Sequence, residues 1–325
     1  MTRYRNVRPL VRVATAAMLV GGAGAAVAAL LAFGGSRWWL LDLLTHFRPA
    51  YGLALLGAAA LALVVARPRV AAVLTAVLVV NTVPMVSAVP ETTDAPVGVP
   101  LRVLVSNVEQ TNPDHRAVAE LIAAARPDLV ALVEVDRTWL DALGPSLDGL
   151  DHAVEVPRSD WFGVALRSRW PLTDVEVVDA PGPASPWIVA TLEVEGAAPA
   201  TVVVAHPHPP VTRDRAAARD AQLEAIGRRL AATTGPRLVV GDLNATPWST
   251  PMARLLEQAG LEVAGGPLGP RGTWPSRLPL LRLPIDHVLH DPEMRIVRHE
   301  LGPDVGSDHR PIVVDLTLPA VRDDV

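Results

Sequence analysis

Three long apolar runs, at 10–35, 50–66 and 70–90, dominate the first part of the chain and contain almost no polar residues. Each run approaches the roughly 20 residues that an α-helix needs to cross a bilayer, and the second run is the shortest. Buried helices of a soluble domain normally keep a polar face, which these runs lack. The pattern therefore predicts a membrane anchor over 1–90 with about three transmembrane helices. The sequence Val86-Ser87-Ala88 resembles a signal-peptidase site, but such signals normally begin a chain, so we expect the anchor to be retained.

After a polar, proline-containing linker at 91–100, the pattern changes to short alternating segments. Runs rich in β-branched residues predict strands at 101–108, 128–135, 162–167, 188–194, 201–205, 237–240, 285–289 and 312–316. Helical spacing predicts helices at 114–126, 213–232 and 249–259, the first of them capped by Asp114. Strands that alternate with helices, and that follow one another in the middle, indicate one layered α/β domain over 101–325.

Charge divides the chain at the same place. Residues 1–90 contain eight arginines and a single acidic residue, Asp42, whereas the whole chain has a net charge of −5. The N-terminal part is therefore at +7 and residues 91–325 are at −12. Because arginines precede the first run and occupy the link Arg67-Pro68-Arg69, the positive-inside rule predicts a cytoplasmic N-terminus. Three crossings then place the α/β domain outside the cytoplasm, whereas two crossings, if the short second run does not insert, would leave it inside.

Composition excludes several classes of protein. Half of the residues are hydrophobic and the mean hydropathy is +0.29, which excludes a disordered chain. The chain has no cysteine, which excludes disulfides, thiolate zinc sites and cysteine nucleophiles. All basic residues other than histidine are arginine, so a P-loop lysine and Schiff-base chemistry are excluded as well.

Polar side chains collect at the ends of the predicted strands. They are Asn107, Glu134, His206, His208, Asp242, Asn244, Asp286, Asp308 and His309. Each one alone has an ordinary structural explanation, since such residues cap helices, form turns or face solvent. Together, an amide, several carboxylates and histidines at the strand ends of an α/β fold indicate metal-assisted hydrolysis of a phosphoester. Hard oxygen ligands favour Mg²⁺ or Mn²⁺ as the cofactor.

These residues belong to motifs that follow one another in a recognisable order. The motifs are Ser106-Asn107-Val108, Val133-Glu134-Val135, 163–169 with Trp170-Pro171-Leu172, Ala205-His206-Pro207-His208-Pro209, Gly241-Asp242-Leu243-Asn244, Gly272-Thr273-Trp274, Ile285-Asp286-His287-Val288-Leu289 and 307–312. In this order and spacing, the chain resembles membrane-anchored bacterial members of the endonuclease/exonuclease/phosphatase superfamily, the group of DNase I-like nucleases, neutral sphingomyelinases and inositol polyphosphate phosphatases. The resemblance begins at about residue 101 and implies a DNase I-like four-layer α/β/β/α sandwich.

The resemblance also implies a role for each residue. It assigns metal binding to Asn107, Glu134 and Asp308. It assigns catalysis to His206, Asp242, Asn244, Asp286 and His309. Asp242 and Asn244 would position the attacking water and the phosphate. His309 would contact the scissile phosphate and transfer protons, with its imidazole oriented by Asp286, and His208 would at most support the site.

Superfamily membership alone does not fix the substrate. The anchor favours a lipid-linked phosphodiester or pyrophosphate outside the cytoplasm, because tethering raises the effective concentration of the site near lipid headgroups. An extracytoplasmic DNA or RNA nuclease is the alternative; the acidic domain disfavours it, and Arg213, Arg215 and Arg219 on one helix are interpreted as a solvated face. An inactive domain that binds a partner is a third alternative, disfavoured because the polar set is complete.

Tryptophan is unusually frequent, with 8 residues against 2 tyrosines and 3 phenylalanines. Trp161, Trp187 and Trp248 are candidates for a substrate groove or a membrane interface, but a place in the core is favoured for each. Trp274 belongs to the Thr-Trp motif and is expected to be structural.

Overall fold

The structure is a computed structural model that describes residues 7–86, 98–178, 185–265 and 271–321. The chain divides into two compact units, one of N-terminal helices and one of two sheets with their own helices. Residues 87 and 88 of the candidate cleavage sequence, and residues 91–97 of the predicted linker, lie outside the described residues.

The described part of the helical unit contains the helices α1 (Val7–Leu31), α2 (Trp39–Thr45), α3 (Arg48–Val64) and α4 (Pro68–Val86). Among the described residues, two helical segments are long and apolar enough to cross a membrane, Val11–Gly34 and Pro68–Val86. Helix α3 has only 17 residues, and it gives a third span only if it is counted together with α2, from which it is bent by 62°. The apolar helices thus fit membrane anchoring, and the predicted number of crossings stays a prediction.

Apolar side chains cover much of the surface of the helical unit. Val20 is 72% exposed, Leu53 74% and Val64 82%, which a soluble domain rarely tolerates over a wide area. Inside the unit, small residues let the helices approach closely: a Cβ atom on Gly22 would lie 2.3 Å from the Cβ atom of Ala58. Small residues at helix contacts and large apolar residues outside are the arrangement expected of helices in lipid.

The described part of the second unit contains four α-helices and twelve strands. The helices are α5 (His115–Ala125), α6 (Arg137–Leu143), α7 (Arg213–Ala231) and α8 (Thr250–Ala259). The strands are β1 (Val99–Asn107), β2 (Leu129–Val133), β3 (His152–Val156), β4 (Val164–Ser168), β5 (Leu172–Val178), β6 (Trp187–Leu192), β7 (Ala200–Val204), β8 (Arg237–Asp242), β9 (Glu262–Val263), β10 (Asp286–His290), β11 (Arg295–Leu301) and β12 (Ile312–Leu318).

The strands form two six-stranded mixed sheets. The first sheet has the order β11-β12-β1-β2-β4-β3, and the second has the order β5-β6-β7-β8-β10-β9. Strands β1 and β2 pair in parallel, as do β7 and β8, whereas β12 and β10 run antiparallel to β1 and β8. In each sheet, therefore, the carboxyl ends of two central strands and the amino end of an antiparallel neighbour lie at the same edge.

An apolar core fills the space between the two sheets, and a second and a third cluster cover their outer faces. The central core includes Val103, Leu129 and Leu166 of the first sheet and Val202, Val240 and Val288 of the second. Outside the first sheet, Leu104 and Leu132 pack with side chains of α5 and α6; outside the second, Val239 packs with side chains of α7 and α8. Because both faces of each sheet are covered, the central strands are mostly apolar, and β2 is apolar at every position. The layers confirm the predicted α/β/β/α sandwich.

In the described part of the second unit, the strands and α-helices that the sequence did not predict are the four edge strands, β3, β5, β9 and β11, and the short helix α6. Strand β5 is largely exposed along its length, and β11 alternates only weakly. An edge strand has one hydrogen-bonded neighbour and open solvent beside it, so it needs neither a continuous apolar run nor strict alternation. The predicted N-cap is confirmed: the carboxylate of Asp114 accepts the backbone N–H of Ala117 at 3.1 Å.

Candidate active site

The predicted site residues lie at one edge of the sheets, where the parallel strands end and their antiparallel neighbours begin. Asn107 is the last residue of β1, and Glu134 follows β2 directly. Asp242 is the last residue of β8, and Asp286, the first residue of β10, lies opposite it in the antiparallel register. His309 lies three residues before β12. The topology thus brings together residues that are far apart in the sequence.

Asn107 links the two sheets at this edge. Its Nδ2 atom donates to Oε1 of Glu134 at 2.8 Å and to Oδ2 of Asp242 at 3.1 Å. Its Oδ1 atom accepts the backbone N–H of Glu109 at 2.9 Å. The amide therefore holds two carboxylates, one from each sheet, at a fixed separation.

His309 is paired with Asp286. Its Nδ1 atom donates to Oδ2 of Asp286 at 2.8 Å, and its Nε2 atom lies 3.7 Å from Oδ2 of Asp242. Burial of the imidazole lowers its pKa, but the charges of Asp286 and Asp242 outweigh burial and raise the pKa of His309 to about 10. The imidazole is therefore protonated at neutral pH, with Nε2 facing the remaining acidic groups.

His206 lies between the two carboxylates that Asn107 joins. Its Nε2 atom is 3.5 Å from Oε1 of Glu134, and its Nδ1 atom is 3.6 Å from Oδ2 of Asp242. Burial lowers the pKa of His206, but the hydrogen bond that its imidazole donates to Glu134 and the charge of Asp242 raise that pKa above its usual range. Burial would raise the pKa of Glu134, yet His206 and Asn107 hold that pKa below the usual range, so Glu134 is ionised.

The carboxylate of Asp242 is fully enclosed, with its side chain 2% exposed. Burial, opposed by the charge of His309 and reinforced by that of Asp286, raises the pKa of Asp242 to about 6. Its Oδ1 atom accepts the backbone N–H of Asn244 at 2.9 Å, and the side chain of Asn244 donates to the carbonyl of Pro207 at 2.9 Å. A carboxylate with a pKa close to neutrality is suited to accept a proton from an attacking water.

Three residues of this region hold a left-handed backbone conformation that non-glycine residues seldom adopt: Glu109 at φ +55°, Glu134 at φ +61° and Asn244 at φ +48°. Such conformations cost free energy and persist only where the surrounding contacts impose them. For two of the three, the side chains supply those contacts: Asn107 accepts the backbone N–H of Glu109, and Asp242 accepts that of Asn244.

Asp308 lies at the rim of the site. Its side chain is 50% exposed, and its Oδ1 atom is 3.9 Å from Nε2 of His309. The indole Nε1 atom of Trp274 donates to its Oδ2 atom at 2.9 Å, and its backbone N–H donates to Oε2 of Glu109 at 2.8 Å. Glu109 was not predicted as a site residue, although its place two residues after Asn107 is a usable signal.

The donor set fits a divalent cation. Ligand atoms of Glu134, His206 and Asp242 lie within 4.8 Å of one another, as do those of Asp242, Asp286 and His309. Three carboxylates in so small a volume repel one another, and the buried Oδ1 atom of Asp286 accepts no hydrogen bond from the described residues. A cation would relieve both costs, and carboxylate oxygens are the ligands that Mg²⁺ and Mn²⁺ prefer. Asp308 belongs to neither group, so its metal role stays a prediction.

Arg219 is buried, and its interpretation as part of a solvated face is wrong. Its side chain is 1% exposed and lies on the inner side of α7 with Leu223. Its guanidinium donates to Oδ1 of Asp220 at 2.8 Å and to the backbone carbonyl of Asn244 at 3.2 Å. The helical spacing of 219 with the apolar positions 216, 223 and 226 is the signal that could have placed it inward.

One of the tryptophans also differs from expectation. Trp161 is 44% exposed rather than buried, and its backbone N–H donates to the side chain of Gln110 at 2.8 Å. Trp187 is in the core, as favoured. The ring of Phe162 packs at a tilt against His208 and His206, with centroid distances of 4.1 and 5.6 Å, so Phe162 and His208 help to wall the site.

A family model described as the endonuclease/exonuclease/phosphatase family matches residues 103–309 of the chain. The match spans the polar residues from Asn107 to His309. A search of curated proteins finds no match.

Several solved structures share the fold. An endonuclease/exonuclease/phosphatase from Beutenbergia cavernae is 22% identical, with 68% of this chain and 72% of that chain covered and a TM-score of 0.55. TDP2 from D. rerio, solved with a single-strand DNA product, is 16% identical, with 67% and 99% covered and a TM-score of 0.56. A functionally unknown conserved protein from Enterococcus faecalis is 17% identical, with 67% and 100% covered and a TM-score of 0.55. At these identities the likeness establishes the fold alone.

Proposed function

The chain belongs to the endonuclease/exonuclease/phosphatase family, and we propose that it is a membrane-anchored hydrolase of a lipid-linked phosphodiester or pyrophosphate outside the cytoplasm. Members of this family are divalent-metal-dependent hydrolases of phosphoester bonds, and the chain has that chemistry. The finer proposal is supported by the charged pair of His309 and Asp286, which faces Asp242 across a buried acidic site, and by the apolar helices of the same chain.

Glu134 would hold the cation, with Asn107 beside it and Asp308 as a further ligand. A bound divalent cation supplies polarisation of a phosphoryl oxygen and neutralises the charge that develops there. The low pKa of Glu134 keeps this ligand ionised at neutral pH. Asn107 donates a hydrogen bond to each carboxylate and so holds Glu134 and Asp242 at a fixed separation against their mutual repulsion.

The remaining residues move the proton and bind the phosphate. Asp242, once deprotonated, orients a water and accepts its proton as the water attacks in line with the leaving oxygen. Asn244 orients the phosphate. Protonated His309 donates from Nε2 to a phosphoryl oxygen, and Asp286 keeps the imidazole in the required orientation through Nδ1. His206 holds Glu134 and Asp242 from the opposite side. Hydrolysis proceeds without a covalent enzyme intermediate.

A lipid-linked substrate is supported by the anchor and by charge. Residues 91–325 have a net charge of −12, which disfavours the long phosphate track of a nucleic acid. A substrate that presents a single phosphoester at the membrane surface carries less negative charge, so the acidic unit repels it less than it repels a nucleic acid. TDP2 shares the fold and was solved with a DNA product, so a nuclease is the alternative that the experiment below must separate.

The proposed topology has three crossings, a cytoplasmic N-terminus and an extracytoplasmic catalytic unit. It is supported by the four arginines within the first twelve residues, by Arg67 and Arg69 between the second and third apolar runs, and by the apolar character of the three runs. Two reporters fused in turn after residue 325 test it. We expect a phosphatase that folds only outside the cytoplasm to be active; a fluorescent protein that folds only in the cytoplasm and fluoresces there would reject this topology.

Turnover by the full chain in lipid nanodiscs tests the function. With Mg²⁺ or Mn²⁺, we expect hydrolysis of a polyprenyl pyrophosphate, a phosphoinositide or a sphingolipid in the disc, and no nicking of plasmid DNA. Rapid nicking without lipid turnover would establish the nuclease instead. Glu134→Ala and His309→Ala should each abolish turnover, whereas Glu224→Ala, an exposed acid on α7, should not. Metal-dependent turnover that survives both active-site substitutions would reject the site.

A further inference from the structure

An exposed apolar loop lies beside the site, at residues 271–283, here called the rim loop. Leu278 is 52% exposed, Leu280 98% and Leu281 59%, and Pro279–Leu281 forms a single 3₁₀ turn. Three neighbouring leucines left open to solvent cost free energy in water and normally mark a binding surface.

The base of the rim loop is fixed. The backbone N–H groups of Thr273 and Trp274 donate to the carbonyl of Leu283 at 2.9 and 3.2 Å. Ser276 donates from its backbone to the carbonyl of Asp308 at 2.7 Å and from its hydroxyl to the carbonyl of Ser307 at 2.8 Å. Backbone and side-chain hydrogen bonds therefore fix both ends of the segment that carries Leu278, Leu280 and Leu281.

The rim loop is also basic. Residues 271–283 contain Arg271, Arg277 and Arg282 and no acidic residue, within a unit that is acidic as a whole. Arg271 and Arg277 are exposed, and neither forms a salt bridge with the described residues. Apolar residues flanked by free arginines match the headgroup region of a bilayer that contains anionic lipid.

Trp274, a residue of the rim loop, contacts two residues of the candidate active site. Its indole Nε1 atom donates to Asp308, its ring centroid lies 6.4 Å from that of His309, and it is 37% exposed. A half-exposed indole with a satisfied N–H group is typical of the membrane–water interface. A phosphate at headgroup depth beside this loop would lie close to His309.

We propose that the rim loop docks on an anionic phospholipid bilayer, with Leu278, Leu280 and Leu281 inserted at headgroup depth. We choose a bilayer as the binding partner because the N-terminal helices of the same chain are apolar enough to cross one. A second copy of the chain would need a larger apolar surface than three leucines, since stable protein interfaces bury far more area. The purpose of the contact, delivery of a membrane-held substrate, rests on the proposed function, but the contact can be measured without turnover.

The absence of cysteine makes a single labelled position possible. Leu280→Cys carrying an environment-sensitive fluorophore is placed in the full chain, in nanodiscs that contain anionic phospholipid and brominated lipid tails. Val297→Cys on β11, 64% exposed, is the matched control. We expect lipid quenching at position 280, weaker at high salt, and none at 297. Equal quenching at both positions would show that the rim loop does not dock on the bilayer. A label at 280 that lipid does not quench, and whose shielding from water increases with protein concentration, would indicate contact with a second copy of the chain instead.

A second measurement separates this contact from the proposed function. Leu280→Ser should lower turnover of a bilayer-held substrate, relative to turnover of a soluble phosphodiester by the same variant, by about tenfold. Val297→Ser should leave that ratio unchanged. Lipid quenching at 280 in a protein that hydrolyses only soluble or nucleic acid substrates would retain the docking and reject the lipid substrate. An unchanged ratio in Leu280→Ser would reject the docking.

Discussion

Oδ2 of Asp286 lies 2.8 Å from Nδ1 of His309, and the two residues come from different sheets. Asp286 begins β10 of the second sheet, whereas His309 precedes β12 of the first. The pair therefore forms only when the two sheets pack against one another, and the central core and the site depend on the same packing.

Asp286→Asn should remove most of the activity and leave the fold intact. The amide has the shape of the carboxylate but no charge, so it neither stabilises the protonated imidazole nor selects its orientation. We expect kcat to fall by about 10²- to 10⁴-fold, with KM changed much less. Steady-state kinetics of the full chain on a soluble phosphodiester measure both constants.

The pH profile of the same variant separates a positioning role from a structural one. Because the charge of Asp286 helps to raise the pKa of His309, its loss should move the alkaline limb of the profile to lower pH. A profile with an unchanged alkaline limb, or a variant with wild-type kcat, would show that the pair has no part in the reaction.

Arg219→Met should weaken catalysis more than stability. Methionine keeps the apolar stem in place, and the carboxylate of Asp220, which loses its partner, is 46% exposed and can be solvated by water. Asn244 loses the guanidinium that holds its backbone carbonyl, and a misplaced positioning group costs about 10- to 100-fold in rate. We expect that loss in kcat with little change in the thermal midpoint.

Arg219→Lys provides the matched control for that substitution. Its ammonium keeps the charge and one donor, so it should recover part of the lost rate. Equal rates for the methionine and lysine variants, or a collapse of the thermal midpoint in both, would assign Arg219 a structural role only.

Gly241→Ala should destabilise the second unit strongly. Gly241 has φ +136°, and a Cβ atom there would lie 2.1 Å from the backbone oxygen of Ala205, so the two parallel strands would have to separate. We expect a loss of about 3 kcal/mol or more in the free energy of unfolding. Gly144→Ala, where nothing lies within 4 Å, is the control and should be close to neutral. Denaturant unfolding in detergent measures the stability of both variants. Similar unfolding midpoints for Gly241→Ala and Gly144→Ala would contradict the close contact between Gly241 and the backbone of Ala205.

The sequence predicted all eight interior strands and none of the four edge strands. Interior strands are covered on both faces, so burial favours long apolar runs in them, as in β2, where every position is apolar. The edge strand β5 is exposed along most of its length, and no local pattern distinguishes it from a loop. Its place is decided by pairing with β6, a contact that the local sequence does not record.

The same limit applies to the site. Asn107, Glu134 and Asp242 could be predicted from the sequence, because each is a polar residue at the end of an apolar run that predicts a strand. Arg219 was misread because its charge outweighed its helical position, and its partner, the carbonyl of Asn244, is a backbone atom that carries no sequence signal. Contacts made by the backbone, and those that cross between sheets, required the structure.

His287 should make stability fall in mild acid. Its side chain is fully buried on β10, with Nε2 2.8 Å from the carbonyl of Ala245, and burial lowers the pKa of His287 to about 4 from 6.5. Because the pKa of His287 is lower in the folded state, the unfolded chain binds a proton at this histidine between pH 6.5 and 4, whereas the folded chain does not. The full contribution of this neutral histidine is therefore present above pH 6.5 and is lost as the pH falls toward 4, by about 3 kcal/mol at most.

His287→Gln tests that contribution, since the glutamine amide can still donate to Ala245 but does not titrate. Other carboxylates also lose stability in acid, so the informative quantity is the difference between variant and wild type in the drop of unfolding free energy from pH 7 to pH 4.5. We expect a smaller drop in His287→Gln than in the wild type, whatever the stability of the variant at pH 7. If the wild type and His287→Gln lost the same free energy over this interval, the buried imidazole would have to be charged in the folded protein, against its apolar surroundings.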